Sequence, residues 1–203
     1  MRKFTKLTGI PAPLDEANID TDIIFPARFL LLMNKVGLGK HVFNERRNSR
    51  NENSNFVLDT PPYDTSEILV TGPRFGIGSS REQAVWALTD YGIRCIIAPS
   101  FGDIFFGNCV KNGLLPIQLG DKNHNLVMRA AKECVAISID LPKQNISFGD
   151  IEIVFDVTAR SKELLLSGLD ETAAIMAQET PAIEAFERRQ RKQMPWLYLK
   201  TNS

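Results

Sequence analysis

The middle of the chain alternates between short continuous apolar runs and stretches in which apolar residues recur at helical spacing. Continuous runs at residues 67–72, 93–100 and 114–119 are bounded by turn residues and predict buried β-strands. Helical spacing over residues 81–91 and 101–113 predicts the helices that connect these strands. Strands and helices that alternate in this way predict a parallel sheet with right-handed crossovers.

Single residues predict where these elements end. Gly92 stands at the expected end of the first helix, because glycine readily adopts the left-handed conformation that closes a helix. Ser100 and Asp103 resemble a capping box at the start of the second helix. Pro116 has no backbone N–H, so the third strand is expected at an edge of the sheet.

The C-terminal half adds a meander and further helices. A helix is predicted through residues 125–134, and two or three antiparallel strands are predicted within residues 135–157. Terminal helices follow at residues 161–168 and 171–192. Pro181 is expected to break or restart the last of them, since proline interrupts the hydrogen bonding of a helix.

The polar run NERRNSRNENSN at residues 44–55 lacks apolar periodicity. It predicts a flexible surface loop, and a flap beside a functional site is the alternative interpretation. Together these elements predict one α/β domain over residues 1–203.

The composition argues against several classes of partner. Lys and Arg total 24, as do Asp and Glu, so the formal net charge is zero and capture of nucleic acid or an anionic membrane is not expected. The most apolar stretch, residues 23–33, contains Pro26 and Arg28 and is much shorter than the ~20 residues of a membrane span. The first 20 residues lack the apolar segment of a signal peptide. We therefore expect a cytoplasmic protein.

The three cysteines, Cys95, Cys109 and Cys134, are unevenly spaced and form no C-x-x-C pair. An odd number of cysteines suits a reducing compartment. These residues are expected to be buried small hydrophobic side chains, and the chain alone is expected to hold no metal centre.

The segment RFGIGSSREQ, residues 74–83, joins a predicted strand to a predicted helix. One interpretation is helix capping alone, because Ser79 with Glu82 and Ser80 with Gln83 both have capping-box spacing. The preceding glycines would then allow the sharp turn from strand to helix.

Capping leaves Arg81 unexplained, because a cation is unfavourable at the positive end of a helix. An arginine beside free helix N–H groups is typical of an anion site. The Walker, dinucleotide-binding and nucleophile-elbow patterns are absent here, and His41 and His124 lie in unrelated settings that indicate surface or core histidines. A small carboxylate ligand close to a serine hydroxyl is the functional interpretation that is left.

The triplet Asp20-Thr21-Asp22 opens the second informative stretch, NIDTDIIFP. It could simply begin a turn, with Pro26 ending the apolar step. Alternatively, it offers a carboxylate that orients an arginine or a base.

Together, G-x-G-S-S-R-E after a strand and N-x-D-T-D near the N-terminus resemble the small-subunit family of 3-isopropylmalate dehydratase. The resemblance extends to "WALTDYG", "IAPSFGDIFFGN" and "NGLLPIQL". It implies the swivelling β/β/α fold of the C-terminal domain of aconitase, with terminal helices. It also implies a hydro-lyase that interconverts 2-isopropylmalate and 3-isopropylmalate in leucine biosynthesis, active only with a large subunit that carries a [4Fe–4S] cluster.

The resemblance also implies roles for single residues. Ser79 would be the catalytic base that removes a proton from carbon, and Ser80 would contribute its backbone N–H. Arg81 would clamp a substrate carboxylate, while Thr21 and Asp22 would line the site.

The chain departs from the usual bacterial pattern around these motifs. Lys35 stands where the family has an arginine, so either Lys35 or Arg28 would hold a second substrate carboxylate. The apolar part of the substrate needs an apolar wall, for which the stretch IIFPARFLLL is the candidate. Further departures are Ile23, Phe25, Arg74, Ile77 and Gln83.

These departures leave two alternative functions open. The first is a small subunit of a related hydro-lyase that acts on another hydroxy-dicarboxylate, of the methylmalate or aconitate type. The second is a non-catalytic module that binds a carboxylate.

Overall fold

The chain forms two compact units, residues 1–168 and residues 169–203, in a computed structural model. The single domain predicted over residues 1–203 stays a prediction. The residues that the structure describes are 1–32, 34–48, 56–78 and 81–198.

A four-stranded parallel sheet forms the centre of the first unit. Its strands are β2 (Ala12–Leu14), β3 (Ile68–Thr71), β4 (Cys95–Ala98) and β5 (Leu115–Gln118), in the order β2-β3-β4-β5. All residues of β3 and β4 are buried, which explains why these strands have continuous apolar sequences. The predicted parallel sheet is thus confirmed.

Strand β5 lies at the edge of this sheet, as Pro116 predicted. The backbone N–H groups of Leu115 and Leu119 donate to carbonyl groups of the β4 segment. The alternation of a strand then directs the nitrogen of Pro116 toward the open edge, where no donor is needed.

A second, antiparallel sheet contains β1 (Lys6–Gly9), β6 (Ile137–Asp140), β7 (Asn145–Phe148) and β8 (Ile151–Val154). Strands β6 to β8 form the predicted meander, while β1 was not predicted. One face of the sheet is apolar, since a row of paired side chains crosses all four strands in register. This row is Leu7, Ile139, Ile146 and Ile153.

Helices follow the parallel strands as the spacing predicted. Gly92 ends α3 with a φ of 119°. The α-helices of the first unit are α1 (Thr21–Ile24), α2 (Asn44–Arg47), α3 (Glu82–Tyr91), α4 (Asp103–Lys111), α5 (Asp121–Lys132) and α6 (Ala159–Ser167). Short 3-10 helices lie at Ala27–Phe29, Gly39–His41, Val57–Asp59 and Tyr63–Thr65.

The predicted polar loop at residues 44–55 begins instead with helix α2, so the prediction is wrong for its first residues. Ion pairs fix this helix, because Arg46 contacts Glu16 and Arg47 contacts Asp59. Residues 49–55 lie outside the described part of the chain.

The predicted capping box of Ser100 and Asp103 is also wrong. Helix α4 begins at Asp103 with Gly102 as its N-cap, and Ser100 lies outside the helix. The Ser100 hydroxyl accepts a hydrogen bond from the backbone N–H of Arg74, at 2.9 Å. It therefore joins two loops instead of capping a helix.

The second unit contains one long helix, α7 (Glu171–Gln193), followed by a 3-10 helix at Pro195–Tyr198. The predicted break at Pro181 is wrong, because α7 continues through it. Proline removes one N–H donor, and the hydrogen bonds on both sides keep a 23-residue helix continuous. No helix in the described residues is both long enough and apolar enough to cross a membrane.

Candidate functional site

The loops that follow β2 and β3 pair with each other beyond the carboxyl ends of the strands. The Gly76 N–H donates to the Ile19 carbonyl at 2.7 Å, and the Thr21 N–H donates to the Ile77 carbonyl at 3.0 Å. This pairing fixes the D-T-D triplet against the glycine-rich loop. Ligands of open parallel sheets bind at this edge.

The loop that follows β4 pairs with the other side of the glycine-rich loop. Phe75 N–H donates to the Ser100 carbonyl at 3.1 Å, and Gly102 N–H donates to the Phe75 carbonyl at 2.9 Å. Three loops thus lie side by side at one edge of the sheet. Two separate sequence motifs meet there.

Glycine is required at position 76 for two reasons. Its φ is +72°, which disfavours any residue with a Cβ. A Cβ at this position would also lie 2.2 Å from the Phe105 ring. Gly78 likewise has a positive φ, +95°, so the loop turns sharply before the next helix.

Helix α3 begins with Arg81 as its N-cap and Glu82 as its first residue. The predicted capping boxes are therefore wrong, because Arg81, in an extended conformation, occupies the N-cap position in place of either serine. Ser79 and Ser80 lie outside the described residues, so their predicted roles stay predictions.

The Arg81 guanidinium forms an ion pair with the Asp22 carboxylate through Nη1 and Oδ1. The Arg81 side chain is 20% exposed and that of Asp22 is 54% exposed, so the pair lies at the surface of the loop cluster. The prediction that D-T-D supplies a carboxylate to an arginine is confirmed. Asp20 has a different role: its side chain caps α1 by accepting a hydrogen bond from the Ile23 N–H at 2.7 Å.

Thr21 is buried, with 2% of its surface exposed. Its hydroxyl lies toward the glycine-rich loop, because a Cβ built on Gly78 would be 3.9 Å from Thr21 Oγ1. Asp20 and Thr21 thus lie beside Gly78, the residue that precedes Ser79 in the chain.

The two candidates for a second carboxylate contact have different surroundings. The Lys35 ammonium lies 4.4 Å from the centroid of the Trp86 ring, on helix α3. Arg28 pairs with Glu45 of α2, and its guanidinium lies 4.7 Å from the Phe29 ring centroid. The structure therefore associates Lys35, and not Arg28, with α3, the helix whose N-cap is Arg81.

The first turn of α3 carries a hydrogen-bond network that the sequence analysis missed. Glu82 Oε1 accepts hydrogen bonds from Trp86 Nε1 at 3.2 Å and from Asn112 Nδ2 at 2.8 Å. The spacing of Glu82 and Trp86, four residues apart on a helix, was the available signal. Asn112 follows α4 and had no such signal.

His124 lies in the core and His41 is partly exposed, which agrees with the prediction of surface or core histidines. His124 is buried, and its Nε2 lies 2.7 Å from the Thr71 carbonyl oxygen. The His41 ring stacks on Phe29 with centroids 3.9 Å apart. Burial, together with the charges of Lys40 and Arg28, lowers the pKa of His41.

The cysteines only partly follow the prediction of buried side chains. Cys95 and Cys109 are buried, and burial raises the pKa of both thiols well above the usual range. The prediction is wrong for Cys134, which is exposed because it follows the end of α5, with its Sγ 3.2 Å from the Tyr63 hydroxyl. Within the described ranges, no three His, Cys, Asp or Glu side chains group together as metal ligands.

Comparison with known proteins agrees with this arrangement of motifs. A family model of the aconitase C-terminal domain matches residues 1–122. The 3-isopropylmalate dehydratase small subunit of Dinoroseobacter shibae is 49% identical over 97% of this chain and 100% of its own length. That of Pelagibacter ubique is 44% identical over the full length of both chains.

A solved structure shares the fold. The 3-isopropylmalate dehydratase structure from Methanocaldococcus jannaschii superposes with a TM-score of 0.67 at 25% sequence identity, covering 89% of this chain and 99% of that one. The chain therefore belongs to the aconitase C-terminal domain family and, within it, to the 3-isopropylmalate dehydratase small subunits.

Proposed function

We propose that this chain is the small subunit of a hydro-lyase that interconverts 2-isopropylmalate and 3-isopropylmalate by dehydration and rehydration, in leucine biosynthesis in the cytoplasm. The observation that carries the proposal is the Asp22–Arg81 pair at the start of α3. It supplies a cation, a carboxylate that orients it and a helix N-terminus at one point of the surface.

Arg81 is the proposed clamp for one substrate carboxylate. A guanidinium presents a planar set of N–H donors that can hold two acceptors at once, so contact with Asp22 is compatible with contact to a substrate. Asp22 restricts the rotation of the side chain and so prepares the site for the substrate. Such pre-positioned donors are most effective when charge develops on the carboxylate in the transition state.

We assign the base to Ser79, the residue that follows Gly78. In the dehydration direction its alkoxide takes a proton from the carbon next to a carboxylate, and hydroxide leaves the neighbouring carbon as the double bond forms. A serine hydroxyl is a weak acid, so its alkoxide needs the positive end of α3 and the Arg81 guanidinium nearby. Rehydration at the other carbon reverses these steps.

The iron–sulfur cluster does not fit the thiols of this chain. Cys95 and Cys109 are buried within the core and Cys134 is exposed, and no metal-ligand cluster occurs in the described residues. We therefore assign the cluster to the large subunit, where it would act as a Lewis acid on the leaving hydroxyl. The role of this chain is to bind the carboxylates and move the proton.

Burial narrows the candidates for the substrate's apolar wall. Ile24 and Phe25 are fully buried in the core, so they are not accessible to a ligand. Leu31 is 90% exposed and Leu32 is 41% exposed. We propose that these two leucines face the isopropyl group when the large subunit closes the site.

Reconstitution with the large subunit tests the proposal. Wild-type complex should convert 2-isopropylmalate, and Ser79→Ala should lower kcat by about 10²- to 10⁴-fold while the subunits still assemble. Asp22→Asn should lower kcat/KM about 10- to 100-fold, because it releases Arg81.

Two control variants match these substitutions. Asp15→Asn removes another ion-paired carboxylate of equal exposure, the partner of Lys132, and should leave activity unchanged. Ser147→Ala, in β7, should also leave activity unchanged.

Full turnover by Ser79→Ala contradicts the proposed mechanism. Faster turnover of a methylmalate or aconitate points to the related hydro-lyase, and ligand binding without any turnover points to the binding module.

A further inference from the structure

The Lys35 ammonium lies over an aromatic ring near the start of α3, although its own segment is exposed. Its Nζ is 4.4 Å from the centroid of Trp86, within the range of a favourable cation–π contact. No carboxylate in the described part of the chain forms an ion pair with Lys35. The ring therefore holds its charge in place, and no acidic side chain among the described residues neutralises it.

The Trp86 ring is itself fixed over the first turn of α3. Its Nε1–H donates to Glu82 Oε1 at 3.2 Å, and the same oxygen accepts from Asn112 Nδ2 at 2.8 Å. Asn112 also donates to the Asn108 carbonyl at 2.9 Å, so the network is anchored to α4. Helical side chains lean toward the N-terminus of their helix, and the contact with Glu82 places the indole toward Arg81.

Arg28 provides a useful contrast. Its guanidinium is already paired with the Glu45 carboxylate, and both side chains are more than half exposed. A substrate carboxylate at Arg28 would have to share the guanidinium with Glu45. Lys35 faces no such competition from an acidic side chain among the described residues.

We propose that Trp86 is a positioning residue whose ring holds the Lys35 ammonium beside the first turn of α3, where the second carboxylate of a dianionic hydroxy acid binds. This inference rests on the proposed function. A lysine side chain has four rotatable carbon–carbon bonds and loses much rotamer freedom when it binds a ligand. A ring that restricts the ammonium beforehand reduces that loss on binding.

A double-mutant cycle in the reconstituted enzyme tests the inference. Lys35→Met should raise KM for 2-isopropylmalate about tenfold or more, with a smaller change in kcat. Trp86→Leu in the wild-type background should raise KM about two- to fivefold, the range expected for a cation–π contact. In the Lys35→Met background, Trp86→Leu should leave KM unchanged, because the ring then has no ammonium to hold.

An equal rise of KM in both backgrounds would overturn the inference, because it would show that Trp86 acts independently of Lys35. Lys35→Arg should retain a low KM, since a guanidinium also stacks on indole. If Trp86→Leu fails to assemble, Trp86→Met keeps more of the side-chain volume without the ring and should show the same dependence on Lys35. Lys40→Met, in the next exposed segment, serves as the control for loss of a lysine charge.

This outcome is distinguishable from failure of the proposed function. If wild-type enzyme does not convert 2-isopropylmalate, the proposed function is wrong. If wild type converts it and the effects of Trp86→Leu and Lys35→Met simply add, only the inference about Trp86 is wrong.

Discussion

At the scale of single residues, the glycine-rich loop is constrained by both conformation and space. Gly76 and Gly149 each have a positive φ, at +72° and +51°. A Cβ at Gly76 would meet the Phe105 ring at 2.2 Å, whereas a Cβ at Gly149 would meet nothing within 4 Å. Substitution of Gly149 by alanine therefore measures the free-energy cost of backbone conformation alone. Substitution of Gly76 adds the cost of overlap with the core.

We expect Gly149→Ala to lower the free energy of unfolding by about 1 kcal/mol, the cost of the left-handed conformation. Gly76→Ala should cost about 3 kcal/mol or more, because the Phe105 ring must also move within a packed core. Urea unfolding of the isolated chain followed by circular dichroism measures both. Equal losses for the two variants would show that the loop adjusts around the added methyl group.

At the scale of elements, the 3-10 helix Gly39–His41 connects the N-terminal segment to the end of α3. Gly39 N–H donates to Asp90 Oδ2 at 2.7 Å, and its Cα lies so close to α3 that a Cβ would be 2.6 Å from the Tyr91 nitrogen. The His41 ring packs on Phe29 from this helix. Protonation of His41 therefore affects a contact between two elements.

Burial first, then the charges of Lys40 and Arg28, lower the pKa of His41. The unfolded chain, with a histidine pKa of about 6.5, then binds this proton more readily than the folded chain does. The contribution of neutral His41 to stability is complete above about pH 6.5 and is lost as the pH falls below it. We expect the free energy of unfolding to fall less between pH 7.5 and pH 5.5, both about a unit from that value, in His41→Gln than in wild type.

Urea unfolding at the two pH values measures this difference. A His41→Gln variant with the same pH dependence as wild type would show that other groups account for the acid sensitivity. Because the substitution also removes the stacking on Phe29, the comparison uses the change with pH and not the absolute stability.

The elements that the sequence predicted well are those with a local signal. Strands β3 and β4 are apolar on both faces and bounded by turn residues, and α3 ends at Gly92 as expected. Strand β2 has only three residues, one of them Pro13, and forms by pairing with β3 more than fifty residues later. Such a strand is stabilised by its neighbour in the sheet, so its own sequence gives little indication of it.

In the candidate site, too, the features with a local sequence signal were predicted and those that depend on tertiary contacts were not. The motifs around Arg81 and D-T-D indicated an anion site, and the pairing of Arg81 with Asp22 confirmed that the two motifs meet. The capping boxes were predicted wrongly because S-x-x-E is a common local pattern, whereas Arg81 is the N-cap of α3. The contact of Lys35 with Trp86 depends on tertiary packing, which spacing alone does not reveal.

At the scale of the whole molecule, the proposed site is one half of an active site. In the proposal, this chain supplies cations for the substrate carboxylates and Ser79 as the base for the proton. The large subunit would supply the Lewis acid for the leaving hydroxyl, and it would close the site around the apolar part of the substrate. In the proposal, division between two chains would prevent the alkoxide from reacting before assembly, since neither chain alone would have both functions.

This division predicts how the rate depends on the two subunits. The isolated chain should not convert 2-isopropylmalate. Chromatography that separates the two isomers measures the conversion. With the large subunit held fixed, the rate should rise with added small subunit and level off at equal amounts. Ser79→Ala small subunit should compete with wild type and lower the rate, because it occupies the large subunit without supplying the base. Conversion by the isolated chain, or a Ser79→Ala chain that does not compete, would contradict a site shared between the subunits.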